Sequence, residues 1–408
     1  MTGFVVTPVG RASGPVTVSA TVTATASTGS DAGTTPTPSP SSALLRSPGS
    51  VPRPLPGAEE EEAIARAIQL GAELDRWDYS PAWLQRVSGG HPLQFAFVYF
   101  VHRFRLSNRW PLGLMAQWAR AIEAMYDDTN TFHTALHAAD TLQAAAHLAT
   151  LPAFDSLFTR DELFCLLVAC AAHDVGHVAR TNAFLSQIGH PYALTYNDTA
   201  VLENMSVATT FRYMLAHPRH NLLIHMSKRH ARAFRALLIE LVLATDLAGH
   251  FDFIDRAQHR LAVAPVDRAC APLVLDIIIK CADVSNAARP FAIAERWSQC
   301  MIEEFYRQGE DERAHGLPVT NFMDRAHPQV AKSQAVFYRG IVAPLFHVLT
   351  ALAHDPSFED TVTRNTERWN ALPDAQPNPA LRWFHKRGVP EPEAPVFTVP
   401  APRKKPPA

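Results

Sequence analysis

Cysteine is scarce and unpatterned in this chain. The five present, Cys165, Cys170, Cys270, Cys281 and Cys300, are odd in number, follow no ribbon or finger spacing, and lie mostly in apolar stretches. That excludes a disulfide scaffold and predicts buried, reduced thiols in a cytoplasmic protein. Long apolar runs are missing as well. The longest, residues 163–172, has ten residues, where a bilayer needs about 20, so no membrane span is expected. Neither sign of charge dominates: 37 Lys+Arg against 39 Asp+Glu leave a net charge of -2. The balance therefore points to no nucleic-acid partner and no anionic membrane, while a small anionic ligand needs only a local site. The first thirty residues carry one basic residue, Arg11. They lack the charged region and compact apolar core of a secretory signal, while their Ser/Thr richness leaves a transit peptide open. Alternating strand patterns and Asn-Gly hairpins are absent too, against a β fold.

What is present is a helical domain between two proline-rich flanks. The 408 residues, 47% hydrophobic, can bury a large core and by length alone allow two or three domains. Of 32 prolines, nine fall in residues 1–57 and ten in residues 371–408. Residues 1–57 hold only four charged residues among Thr, Ser, Pro, Ala and Gly, and are expected to be disordered; the tail 372–408 is expected to be mostly so, with Trp383 and Phe384 able to dock a short piece. The acidic run Glu59–Glu62 suits the positive end of a helix dipole and marks the start of folding. Residues 58–371 then read as one compact all-α domain, with helices expected over 113–125, 131–151, 163–173, 231–247, 273–285, 291–308 and 330–353.

Three polar clusters interrupt those apolar segments. A helix through Phe132-His133-Thr134-Ala135-Leu136-His137-Ala138-Ala139-Asp140 places His133, His137 and Asp140 on one stripe. By itself this fits a pair of partly exposed histidines with Asp140 as their partner better than a ligand set. His173-Asp174-Val175-Gly176-His177 follows a strongly apolar helix, so its carboxylate and imidazoles emerge at the end of a buried element. A divalent cation compensates such a cluster most directly. Asp276, Lys280, Asp283 and Asn286 form a polar stripe on another apolar helix, with Asp276 and Lys280 a natural intrahelical ion pair. His137, His173, Asp174 and Asp283 together complete a His₂Asp₂ set for a divalent ion. A second ion bridged by Asp174 would give two-metal hydrolysis of a phosphoester.

Six blocks resemble, in order, a class I 3′,5′-cyclic nucleotide phosphodiesterase, a branch of the HD-type metal hydrolases. They are residues 173–184, 196–204 (Tyr-Asn-Asp-Thr-Ala-Val-Leu-Glu-Asn), 245–251 (Thr-Asp-Leu-Ala-Gly-His-Phe), 280–286, 304–310 (Glu-Phe-Tyr-Arg-Gln-Gly-Glu) and 333–337 (Ser-Gln-Ala-Val-Phe). The resemblance implies an all-α HD-type domain. His137, His173, Asp174 and Asp283 would ligate a zinc ion, and Asp174 would bridge to magnesium or manganese. A hydroxide between the ions would attack phosphorus, and His133 would be the general acid protonating the leaving O3′. His177 and Glu203 would orient bound waters and His133. Gln334 would read the purine edge, Phe337 would stack on it, and Asn286 would contact the nucleotide with a lean toward cAMP over cGMP. The implied role is to end cyclic nucleotide signalling.

The sequence also departs from the family. Met205-Ser206 stands where two histidines are common, Gly176 where Asp is common, Thr134 where Asn is common and Ala287 where Pro is common. None is an implied ligand. Losing an imidazole beside the site still leaves open a catalytically weak relative that binds cyclic nucleotide or a signalling partner.

Overall fold

Helix Ala135–Ala149 lies at the centre of the computed structural model, which describes residues 57–263 and 266–375. It is buried on almost every side and packs against helices Pro92–Arg103, Arg160–Ala172 and Ala271–Asp283. Its alanines allow that close approach. A helix enclosed all round needs no single apolar stripe. Among the described residues there is no strand, as an all-α domain requires.

Several boundaries differ from the sequence reading, each for a local reason. The helix expected over 131–151 begins only at Ala135, because Thr134 takes extended angles and its hydroxyl accepts the His137 N–H as the N-cap. Arg160–Ala172 starts in a capping box made by Thr159 and Glu162 and stops at His173. The expected 330–353 helix is Val330–Phe337 and Ala343–Ala353 joined through a π turn, Tyr338–Val342. Pro344 has no N–H for the carbonyl four residues back, at Gly340, and the wider turn absorbs the mismatch. By length and composition, residues 330–353 are the one described helical run apolar enough to cross a membrane. Here Leu345, Phe346, Leu349 and Leu352 are buried in the protein core. Helix Pro92–Arg103 presents no polar stripe over residues 92–101, which are all buried; it and helices Val201–Ala216, His250–Val263 and Ser357–Ala371 are additional to those expected from the sequence.

Asp140, one turn on from His137 in the same helix, does not pair with either histidine. Its carboxylate accepts from the Tyr79 hydroxyl at 2.6 Å and from Arg289 Nη2 at 2.9 Å, and Arg289 also donates to Gln143 at 2.7 Å. Arg289 is fully buried and lies over the Trp77 ring at 4.3 Å. The network ties the segment before residue 80 to the central helix.

The expected ion pair between Asp276 and Lys280 is not formed. Lys280 Nζ donates to the carbonyls of Ala244 (2.6 Å) and Asp246 (3.3 Å) instead. Asp276 Oδ1 has no hydrogen-bond partner, and burial pushes its pKa up to about 7. The flanks expected to be disordered lie outside the described residues, except Gly57, which opens helix Gly57–Leu70, and residues 372–375. Trp383 and Phe384 lie outside them too.

Candidate metal centre

Three chain segments converge on one small volume: the first turn of Ala135–Ala149, the turn after Arg160–Ala172, and the last residue of Ala271–Asp283. They bring His137, His173, Asp174 and Asp283 together, one ligand atom of each lying within 4.8 Å of all the others. Both histidines are buried, and the carboxylates face a partly open side. His173 Nδ1 donates to the Cys170 carbonyl at 2.9 Å, which fixes the tautomer and turns the Nε2 lone pair toward the cluster. That Nε2 lies 3.3 Å from His137 Nε2, 3.1 Å from Asp174 Oδ2 and 3.2 Å from Asp283 Oδ1.

Two imidazole nitrogens this close, flanked by two carboxylates, repel one another unless a positive charge sits among them. Protonation is one way to supply it: against the cost of burial, Asp174 raises the His173 pKa well above its usual range. His173 in turn holds the Asp174 carboxyl well below its usual range despite burial. A divalent ion is the other way. The neutral N and anionic O donors fit one, with Asp174 and Asp283 partly open for further oxygen ligands.

His133 stands beside this set but not on its helix. It lies in the loop before Thr134, where a single carboxylate organises the backbone. Glu304 Oε1 accepts the N–H groups of Thr131 (2.9 Å), Phe132 (2.6 Å) and His133 (3.1 Å), and Glu304 Oε2 meets His133 Nδ1 at 2.5 Å. Asn130 Nδ2 donates to the carbonyls of His133 and His177, at 3.0 and 2.8 Å, which clips the loop to the turn after His173. Burial opposes charging of His133. The adjoining Glu304 carboxylate, with Asp174 and Asp283, outweighs it and raises the pKa to about 9. Glu304 itself, buried but facing that imidazolium, is lowered to about 2.

The sequence reading assigned no role to Glu304 or Asn130. Glu304 lay inside one of the blocks quoted above, on helix Phe291–Ala314, but its partners are more than 170 residues distant in the chain.

His177 stacks on His133, with ring centroids 3.7 Å apart and planes at 21°, while its Nδ1 accepts from the Ala179 N–H at 3.0 Å. Burial and the charged His133 lower its pKa to about 3, so it remains neutral. Glu203, at the first turn of Val201–Ala216, accepts from Asn182 Nδ2 at 2.9 Å; burial raises it to about 7. His133 is thus held by Glu304 rather than by Glu203. Gln334 is buried, and its Oε1 accepts from the Ser298 hydroxyl at 2.8 Å. Phe337 is half-buried at the end of the same helix. Asn286 lies past the end of helix Ala271–Asp283, in the 3₁₀ turn Ser285–Ala288, rather than on a continued helical stripe.

The departures also have a structural setting. Gly176 has φ +76°, and a Cβ there would lie 3.3 Å from Met205 Sδ. Met205 packs in a small apolar cluster with Phe184, Leu185, Ala193, Val201 and Leu202. Ser206 Oγ donates to the Val175 carbonyl at 3.1 Å.

Residues 132–364 match the family model described as 3'5'-cyclic nucleotide phosphodiesterase. The chain is 33% identical over 297 residues to the human dual specificity calcium/calmodulin-dependent 3',5'-cyclic nucleotide phosphodiesterase 1C, an alignment covering 72% of this chain and 41% of that protein. The mouse protein of the same name is 34% identical over 281 residues, covering 68% and 40%. A probable 3',5'-cyclic phosphodiesterase of Caenorhabditis elegans, pde-6, is 30% identical over 323 residues, covering 77% and 42%. The chain spans about two fifths of the length of the curated relatives it matches. With more than half of its residues inside the family match and the His/Asp cluster assembled in its fold, this chain belongs to the 3′,5′-cyclic nucleotide phosphodiesterase family.

Proposed function

We propose that this chain hydrolyses 3′,5′-cyclic nucleotides to nucleoside 5′-monophosphates with two divalent ions, and so ends a cyclic nucleotide signal. The observation that supports this most is the four-donor cluster of His137, His173, Asp174 and Asp283, with a separately anchored His133 beside it. The mixed N/O set suits zinc, and the free oxygen positions of Asp174 suit magnesium or manganese. When bound, such ions would supply positive charge to the phosphoryl oxygens and activate water at neutral pH.

The chain's own residues supply the rest. His133, kept as an imidazolium by Glu304, gives its Nε2 proton to the departing O3′ as the P–O3′ bond breaks, and that oxygen leaves as a neutral hydroxyl. Gln334 and Phe337 address the purine by amide hydrogen bonds and by stacking. With Gln334 Oε1 held by Ser298, its N–H groups are left for the base edge. Asn286 favours cAMP, because an amide pairs with adenine's N6–H donor and N7 acceptor. The human and mouse relatives are named dual specificity, which supports cGMP as a second substrate. All five cysteines are buried thiols, which supports a cytoplasmic setting.

A second reading is a relative that binds cyclic nucleotide or a signalling partner with little turnover. Met205 and Ser206 favour it: one side chain packs in apolar surroundings and the other bonds to backbone, so neither offers an imidazole. Hydrolysis of cAMP and cGMP side by side, with Mg²⁺ or Mn²⁺ and with a chelator control, separates the two. Chelator-sensitive turnover supports the enzyme; a folded, metal-loaded protein that turns over neither nucleotide supports the second reading.

A further inference from the structure

Between Asn204 and Ile239 the chain has no acidic residue. It carries six Lys/Arg there, Arg212, Arg219, Lys228, Arg229, Arg232 and Arg235, and four histidines, in a protein whose net charge is -2. The six cations are exposed. They occupy the end of helix Val201–Ala216, two short 3₁₀ turns and the start of helix Lys228–Ala244. The two helices pack together, with the Arg235 guanidinium over the Phe211 ring at 4.2 Å. Of the acids near the segment, Asp161 is engaged by Arg109 and Glu162 by Arg268 at 2.6 Å, while Glu240 follows the segment directly and Glu60 lies near His220. Six cations with no acid among them leave the segment itself strongly positive.

Large apolar side chains stand among these cations. Leu215 is 72% exposed and Ile224 is 62% exposed, the two most exposed large hydrophobic residues of this segment. Exposed Leu and Ile contribute nothing to a contact with nucleic-acid phosphates. A lipid interface takes both kinds of group, apolar tips into the acyl boundary and cations onto anionic headgroups. We propose that residues 212–235 dock this protein on an anionic lipid surface, with Leu215 and Ile224 entering the headgroup boundary. The docking face and Glu203 lie at opposite ends of one helix, Val201–Ala216, so the candidate metal centre stays clear of the bilayer.

Vesicle flotation of the full chain tests this, comparing phosphatidylcholine alone with phosphatidylcholine containing phosphatidylserine. Binding is expected only to the serine-containing vesicles and is expected to fall steeply as salt is raised. The double variant Arg229→Glu/Arg232→Glu is expected to bind about thirty-fold more weakly or worse. Leu215→Ser/Ile224→Ser is expected to lose several-fold at low salt. Both variants should keep the parent's thermal midpoint, because all four side chains are exposed. Equal binding to both vesicle types, or charge-reversed binding as strong as the parent's, overturns the proposal. So does vesicle binding unchanged by the Leu215/Ile224 pair, and so does tighter binding to single-stranded poly(U) than to the anionic vesicles, with the same dependence on Arg229 and Arg232.

Discussion

Glu304 and His133 are joined twice, once through the side chain at 2.5 Å and once through the His133 backbone N–H at 3.1 Å. One carboxylate therefore sets both where the imidazole stands and whether it carries a proton. The charge on His133 survives burial chiefly because that carboxylate faces it, with Asp174 and Asp283 adding to it.

Glu304→Gln should lower the His133 pKa from about 9, since it deletes the largest interaction that raises it. As a proton donor His133 works below its pKa, so turnover should fall as pH rises through about 9 in the parent and at a lower pH in the variant. A pH–rate profile should show that alkaline limb displaced, with a loss of roughly 10² or more at pH 8. An undisplaced limb would assign the proton to another group.

Asp283→Ala removes one carboxylate from between two imidazoles. Bound metal after dialysis should drop below that of the parent, and turnover should disappear. Adding Zn²⁺ should raise the thermal midpoint of the parent but not of the variant, because a ligand bound only to the folded state stabilises it by mass action. A variant with the parent's metal content and activity would defeat the ligand assignment.

Gln334→Ala should act mainly on KM, since the amide is assigned to the base edge and not to phosphorus. Steady-state kinetics with cAMP and cGMP should show KM rising by about ten-fold or more with kcat changed far less. A fall in kcat at constant KM would instead place Gln334 in the chemical step.

Gly176→Asp should destabilise the fold by about 1–2 kcal/mol, because φ is +76° there and the added Cβ meets Met205 Sδ at 3.3 Å. Met205→Ala should relieve the contact but not the backbone cost. A double-mutant cycle by thermal or denaturant unfolding should therefore return a coupling energy of opposite sign to the Gly176→Asp penalty. Strict additivity would show that positions 176 and 205 are independent.

Arg289→Met leaves the buried Asp140 carboxylate without its counter-charge. Breaking a buried pair from one side costs about 3–5 kcal/mol. Denaturant unfolding should record it, and replacing both partners by apolar residues should recover part of the loss.

The all-α class and the four-donor set were legible because each has a local signature. An apolar helix that ends in His173-Asp174 announces a polar cluster wherever the rest of the chain goes. The fault came where two explanations share one spacing. His133, His137 and Asp140 are spaced for one helical face, yet Thr134 stops the helix between the first two, and Asp140 turns toward Arg289, 149 positions away. Glu304 was hidden for the same reason of distance, since its bonds go to a loop 171–173 residues earlier. Lys280 and Asp276 satisfied a helical pairing rule that burial overrode, as Lys280 was drawn to the backbone carbonyls at the end of a neighbouring helix.

The π turn at Tyr338–Val342 acts as a phase shifter. A regular helix advances about 100° per residue, so one additional residue in a turn rotates everything before it relative to everything after it by about that angle. Gln334 and Phe337 lie before the turn, and Leu345, Leu349 and Leu352 after it. Without the shift, a single straight helix would have one azimuth to divide between the nucleotide side and the core. Deleting one residue from 338–342 would therefore leave the composition of both halves intact while turning the proposed base-reading side chains away from their target.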